Sequence, residues 1–206
     1  MRNSLYIVIG PLLLLSGCKN LSKPNDAEIK SVIDQYLASH GPSCTWLGQP
    51  FPVNVTKAQL SRNEGVALQM TTLEKAGLVQ SLETVNRTQN PLGGVTEQDV
   101  RRYEPASAGK PYLRQVRAVL TESAGFCYGT KSVDSLSELS DSPSPHPDIS
   151  MQVTYTYKIA DLAPWARRPD VQNEFGDIRT AVTGISRTAE TIGLQLTDKG
   201  WKVADQ

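Results

Sequence analysis

The chain has 206 residues with 21 basic and 21 acidic side chains, so its formal net charge is zero. Mean hydropathy is −0.32 and aromatic residues make up 6% of the chain. This balance excludes a nucleic-acid-binding electrostatic footprint and a polybasic membrane surface, and the length suits one domain or two small lobes.

The first charge, Arg2, is followed by an apolar stretch from Leu5 to Leu15 that Gly10-Pro11 interrupts. As a helix it would rise about 16 Å, well short of a bilayer core of about 30 Å. A positive start, a short apolar core and a small-residue exit predict a secretory signal over residues 1–17 rather than a membrane span. The exit reads Leu15-Ser16-Gly17-Cys18, and it resembles the lipobox of bacterial lipoproteins. The resemblance covers the first 18 residues. It implies that Cys18 receives a diacylglycerol on its thiol, that the chain is cut before it, and that the new amino terminus is acylated, palmitate being an expected chain. Several chains at about 0.8 kcal/mol per buried CH₂ anchor a protein stably. Lys19 stands where an aspartate would favour retention at the inner membrane. The implied address is therefore the outer membrane on its periplasmic side, with the inner membrane as the alternative. The lipid would tie the chain to the membrane.

Residues 18–24 form a lipidated tether, whose six residues after Cys18 reach about 20 Å at most. Asn25 is a good helix N-cap with Glu28 three positions on. Ile29, Val32, Ile33, Tyr36 and Leu37 make one apolar stripe at helical spacing, and Gly41-Pro42 stops it. With Cys18 lipidated, Cys44 and Cys127 remain, and an exported pair reads as a disulfide. Closing the loop from 44 to 127 is worth about 4.5 kcal/mol in the chain-entropy model. The alternative is a nucleophilic or metal-binding thiol, for which His40 is the nearby histidine at ligand spacing from Cys44.

Residues 45–55 read as an extended segment with alternating Phe51, Val53 and Val55, leading to Thr56 as an N-cap. Residues 57–76 carry a helical pattern through Leu60, Val66, Met70 and Leu73, divided at Asn63-Glu64-Gly65 and closed by Gly77. A strand follows from Leu78 towards Val85. Leu73-Glu74-Lys75-Ala76-Gly77-Leu78-Val79, with Arg102-Tyr103-Glu104-Pro105 and Gly109-Lys110, resembles the recognition-helix exit and returning wing of winged-helix domains over about residues 56–112. That stretch holds seven Lys/Arg against six Asp/Glu, so the resemblance implies a scaffold or protein-binding module and no nucleic acid. Residues 86–100 are expected as the loop between the wing strands.

Beyond Lys110-Pro111 the period changes to two. Strands are expected at 112–120 and 126–133, joined by a turn at 122–125, with an exposed Ser/Pro/Asp-rich loop at 134–148. Residues 149–159 alternate cleanly, with Ile149, Met151, Val153, Tyr155, Tyr157 and Ile159 on one face. Residues 161–175 read as a crossover with one or two helical turns. Residues 178–191 read as a strand region with a bend at Gly184. A hairpin closes the chain, 192–196 returning at 201–203. The fold class is thus α+β: an N-terminal helical, winged-helix-like lobe over 25–110, then an antiparallel β lobe over 111–206, the two able to form one globule.

No nucleophile elbow, phosphate loop, dinucleotide fingerprint or metal-ligand spacing occurs, and neither a catalytic residue nor a cofactor is assigned. Asp141, His146 and Asp148 are too few and too loosely placed to hold a metal. Glu97 and Asp99 read as ordinary charge placement at element ends. Trp165 with Arg167, Arg168 and the loop residue His146 forms a candidate partner contact, against a reading of Trp165 as a core cap. Trp46 and Trp201 are expected in the core. The functional expectation is a non-catalytic envelope lipoprotein that binds or scaffolds an envelope protein. The alternative is a periplasmic inhibitor or immunity lipoprotein, and an enzyme with a dispersed site stands third.

Overall fold

The computed structural model describes residues 24–89, 91, 93–117, 122–140 and 150–204; Cys18 and the leader, and Asp141, His146 and Asp148, lie outside the described residues. Helix α1 spans Asp26–Ser39 and begins where the Asn25 side chain accepts the Glu28 backbone N–H at 3.0 Å. That bond satisfies a donor which the first helical turn cannot pair internally. Ile29 and Ile33 on the expected stripe are fully buried, with Val32, Tyr36 and Leu37 packed around them.

Strand β1, Ser43–Trp46, leads to β2, Val53–Thr56. At the β2 end the Thr56 hydroxyl accepts the Gln59 N–H at 3.2 Å, and the Gln59 side chain accepts the Thr56 N–H at 2.8 Å. This reciprocal box starts α2, Lys57–Arg62, which stops at Asn63 in the left-handed region with φ 51°. Helix α3, Val66–Lys75, buries Ala67, Met70 and Leu73 and exits through Gly77 at φ 77°. Strands β3, Val79–Gln89, and β4, Val95–Pro105, pair residue for residue and form with β2 a three-stranded sheet of order β2-β4-β3. The expected 86–100 loop is therefore mostly strand. Its alternating polar side chains had hidden a ribbon that is exposed on both faces.

The larger sheet contains β5, Leu113–Arg117, β6, Glu122–Ser140, and β7, Met151–Ala160. The expected turn at 122–125 and the first part of the expected 134–148 loop both belong to β6. A 3₁₀ turn at Pro164–Arg167 precedes α4, Pro169–Glu174, and α5, Gly176–Thr183. Residues 178–183 are thus helix, not strand: Ile178, Val182 and Ile185 fall at i, i+4 and i+7, and the buried Ile178 decides the state over β-branched propensity. Strands β8, Ala189–Thr197, and β9, Gly200–Val203, form the expected closing hairpin.

The sheet order is β1-β6-β7-β8-β9, with β5 also on β6. Gly125 pairs with both Trp46 and Arg114, so β1 and β5 flank the start of β6 on opposite edges. Register shifts at Ser43/Cys44, Val133/Ser135 and Leu136/Glu138 bend this antiparallel sheet into a curl. Helix α1 packs on β6 and β9. Beside the first β6–β7 shift, Asp34 accepts the Val133 N–H at 2.6 Å and Lys30 donates to the Val133 carbonyl. Two side chains one helical turn apart thereby satisfy both polar groups of one strand residue. The buried apolar residues of the smaller sheet, including Val55 and Tyr103, and Leu73 of α3 belong to one core with Phe126, Val153, Ile178 and Leu194.

Candidate functional site

Cys44 and Cys127 face each other across β1 and β6, with Cα atoms 3.8 Å apart and sulfurs bonded at 1.96 Å. The expected disulfide is present. It borders an open groove of about 600 Å³ that runs from Ser43 and Cys44 past Lys131 to Asp177 and Glu190.

The groove floor is a closed polar network. Lys131 on β6 reaches across to Glu190 on β8 at 2.7 Å, while its ammonium lies 4.0 Å from the Tyr157 ring centroid. Tyr155 donates to the other Glu190 oxygen at 3.0 Å, and Tyr157 donates to the Ala181 carbonyl at 2.9 Å. The alternation of β7 explains the placement, because Tyr155 and Tyr157 share its buried face. Burial first, then the Asp177 carboxylate, pushes Tyr128 up to about 12. Burial and Glu190 raise Tyr155, and burial and Glu190 also raise Tyr157. All three phenols are therefore neutral hydrogen-bonding groups near pH 7. Both Glu190 oxygens are engaged, so the network suits holding β6, β7 and β8 together more than accepting a proton from a substrate.

Of the two readings of Trp165, partner contact and core cap, the structure gives the ring a core position. It is 5% exposed and meets Tyr112, Phe126 and Tyr128 edge-on, with ring centroids 5.9, 6.4 and 6.3 Å away. It is a core residue, because the 3₁₀ turn directs it inward. Its indole N–H is buried without a hydrogen-bond partner among the described residues. Arg167 is exposed, and Arg168 is held by Asp170 at 2.8 Å, which keeps the Asp170 carboxyl below its ordinary range. Arg168 and the edge of Trp165 nonetheless line one open pocket of about 410 Å³, together with Pro164 and Tyr112.

Trp46 takes the opposite course. Expected in the core, it is 45% exposed, while its neighbours Thr45 and Leu47 are buried. Its indole lies over Gly125: a Cβ at that glycine would stand 2.7 Å from a Trp46 ring carbon. The absent side chain is what lets the ring rest flat on the strand. Val116, 50% exposed, pairs with Ser123, two residues from Gly125 and on the same sheet face. A shallow depression of about 280 Å³ follows, bounded by Pro50, Val116 and the Arg117–Glu122 ion pair. Sequence reading missed this face, because the signal is a cross-strand glycine 79 residues away rather than anything beside Trp46. Trp201 is half-buried and packs against the core.

Among the described residues, no three His, Cys, Asp or Glu side chains gather as a metal site, and no helix is long and apolar enough to cross a membrane. No protein-family model, curated protein or solved structure matches the chain.

Proposed function

We propose that this chain is a lipid-anchored bacterial envelope protein that binds another envelope protein without catalysis. The observation that carries the binding reading is Trp46 laid open on Gly125, on the same sheet face as the exposed Val116 across β6. A large, rigid aromatic ring left open on a sheet face that also exposes Val116 has the composition of an interface anchor. The lipobox resemblance at Cys18 supports the anchor, and a disulfide between paired strands supports an oxidising compartment. The proposed location is the outer membrane, facing the periplasm. The stretch of about residues 56–112 is read as a winged-helix-like module, a reading supported by a helix pair followed by a hairpin in a sheet of order β2-β4-β3. In this reading the module serves protein contacts.

The test uses the full-length chain in cells. With a photo-reactive phenylalanine analogue in place of Trp46, irradiation is expected to give one discrete adduct with an envelope protein. Cys18→Ala is expected to lose labelling by a radioactive fatty acid. An unlabelled wild-type chain overturns the anchor, and a smear of unrelated adducts or none at all overturns the binding face.

A further inference from the structure

Strand β2 ends at Thr56, opposite Val100, so beyond that point β3 and β4 continue as a two-stranded ribbon. Strand β3 is the edge of its sheet, and among the described residues no strand pairs with its outer side. Edge strands are ordinarily short, bulged or interrupted by proline or lysine, which blocks pairing with another chain. Strand β3 is 11 residues long, contains neither Pro nor Lys, and pairs with β4 throughout without a register shift. Its exposed apolar side chains are Leu82 and Val85, 52% and 45% exposed.

The charges on this edge have a pattern of their own. Glu83 and Arg87 lie two residues either side of Val85 on one face of β3, 59% and 72% exposed. Each already pairs across the hairpin: Arg101 to Glu83 and Arg87 to Glu97, both at 2.8 Å. We propose that β3 is a homodimer edge, pairing antiparallel with β3 of a second copy across a two-fold axis at Val85.

In that register Glu83 of each copy faces Arg87 of the other. One row then runs across four strands as Glu97, Arg87, Glu83 of the second copy and Arg101 of the second copy, alternating in sign at every step. Val85 meets its own counterpart at the axis, and on the opposite face Leu82 meets Thr88 of the second copy. Moving the axis to Glu83 or Arg87 sets like charges opposite each other, and moving it by one residue sets Glu83 or Arg87 against Val85. A parallel arrangement in register brings each charge beside its own kind. Cross-strand pairs of like sign are destabilising, so the edge selects one orientation and one register. The interface is isologous, as a two-fold requires.

This inference goes beyond the partner-binding reading, since it uses a different sheet and a different face from Trp46. The experiment is sedimentation of the full-length chain in mild detergent, with Glu83→Arg, Arg87→Glu, their equimolar mixture and the double exchange. Wild type is expected to dimerise in the micromolar range. Each single variant places like charges opposite each other twice and is expected to weaken the dimer about tenfold. The mixture and the double exchange restore opposite charges between the copies, though they set like charges against Arg101 and Glu97 within a hairpin, and are expected to bind more tightly than either single variant. A misfolded variant is not rescued by mixing, so the recovery reads the register itself. Val85→Cys is expected to give a disulfide-linked dimer on mild oxidation in membranes. A monomeric wild type, a mixture no tighter than its components, or a Val85→Cys adduct with a different protein each overturns the proposal. Loss of the dimer leaves the Trp46 adduct in place, which separates failure here from failure of the partner-binding reading.

Discussion

Strand β3 runs 11 residues against β4 without a shift, whereas β6, at 19 residues, changes register with β1 once and with β7 twice. The consequences run in opposite directions. Each shift in the larger sheet bends it and leaves backbone groups to be satisfied from elsewhere, as Lys30 and Asp34 do at Val133. The result is a curled sheet fixed by a disulfide, a Lys131–Glu190–Tyr155 network and an aromatic cluster around Trp165. The straight hairpin lacks bulges, and its stabilising features past Val100 are exposed ion pairs, each worth little on its own. Irregular pairing goes with a packed, cross-braced region, and regular pairing with an edge open to other chains.

Breaking the comparison at its strongest point means replacing both cysteines with serine. Chain entropy predicts a loss of about 4.5 kcal/mol for a closed loop of this length. Urea denaturation of oxidised wild type against the double variant checks it, and a difference under about 1 kcal/mol would show that the curl holds without its staple.

The next effect is smaller and depends on pH. Folding keeps the Tyr128 phenol protonated to about 12, while in the unfolded chain it ionises near 10. Between these values the folded state binds more protons, so stability falls as pH rises, by about 1.4 kcal/mol per pH unit for one such group. Tyr128→Phe has no proton to lose. Its alkaline limb in thermal melts is expected to be shallower than wild type above pH 10, and an unchanged slope would show that folding does not hold the Tyr128 phenol protonated.

The smallest effect sharpens the other side. Thr56→Ala removes the reciprocal cap where β2 meets α2 and is expected to cost about 1 kcal/mol in a thermal unfolding curve, with the larger sheet unaffected. A loss as large as that of the cysteine pair would mean that the two sheets unfold as one unit from this corner.

Much of this contrast was legible in the residues. The Asn25 cap, the Ile29–Ile33 stripe, the break at Asn63, the β7 alternation and the closing hairpin all rest on local rules, and the structure follows them. The cysteine pairing was legible from context. What was not legible depended on distant partners. Ser, Glu and Asp between 134 and 140 read as a loop, yet pairing with β7 makes them strand. The β-branched residues of 178–183 favour a strand locally, and burial of Ile178 makes them helix. Trp46 left the core expected for it because it faces a glycine on a neighbouring strand, whereas Trp165 took the core position of its two readings by following a Pro-led turn into an aromatic cluster. Of the candidate site, Cys44 and Cys127 could be named in advance. The Trp46–Gly125 contact could not, since nothing near either residue marks the other.

The cysteine pair also closes a covalent ring around everything from β2 to β4, because residues 53–105 lie wholly between Cys44 and Cys127. A protease that nicks the ribbon cuts the chain but does not release either piece. The halves stay tethered through sulfur and separate only when a reductant reaches the bond, so the part of the molecule most open to other chains can be cut without being shed.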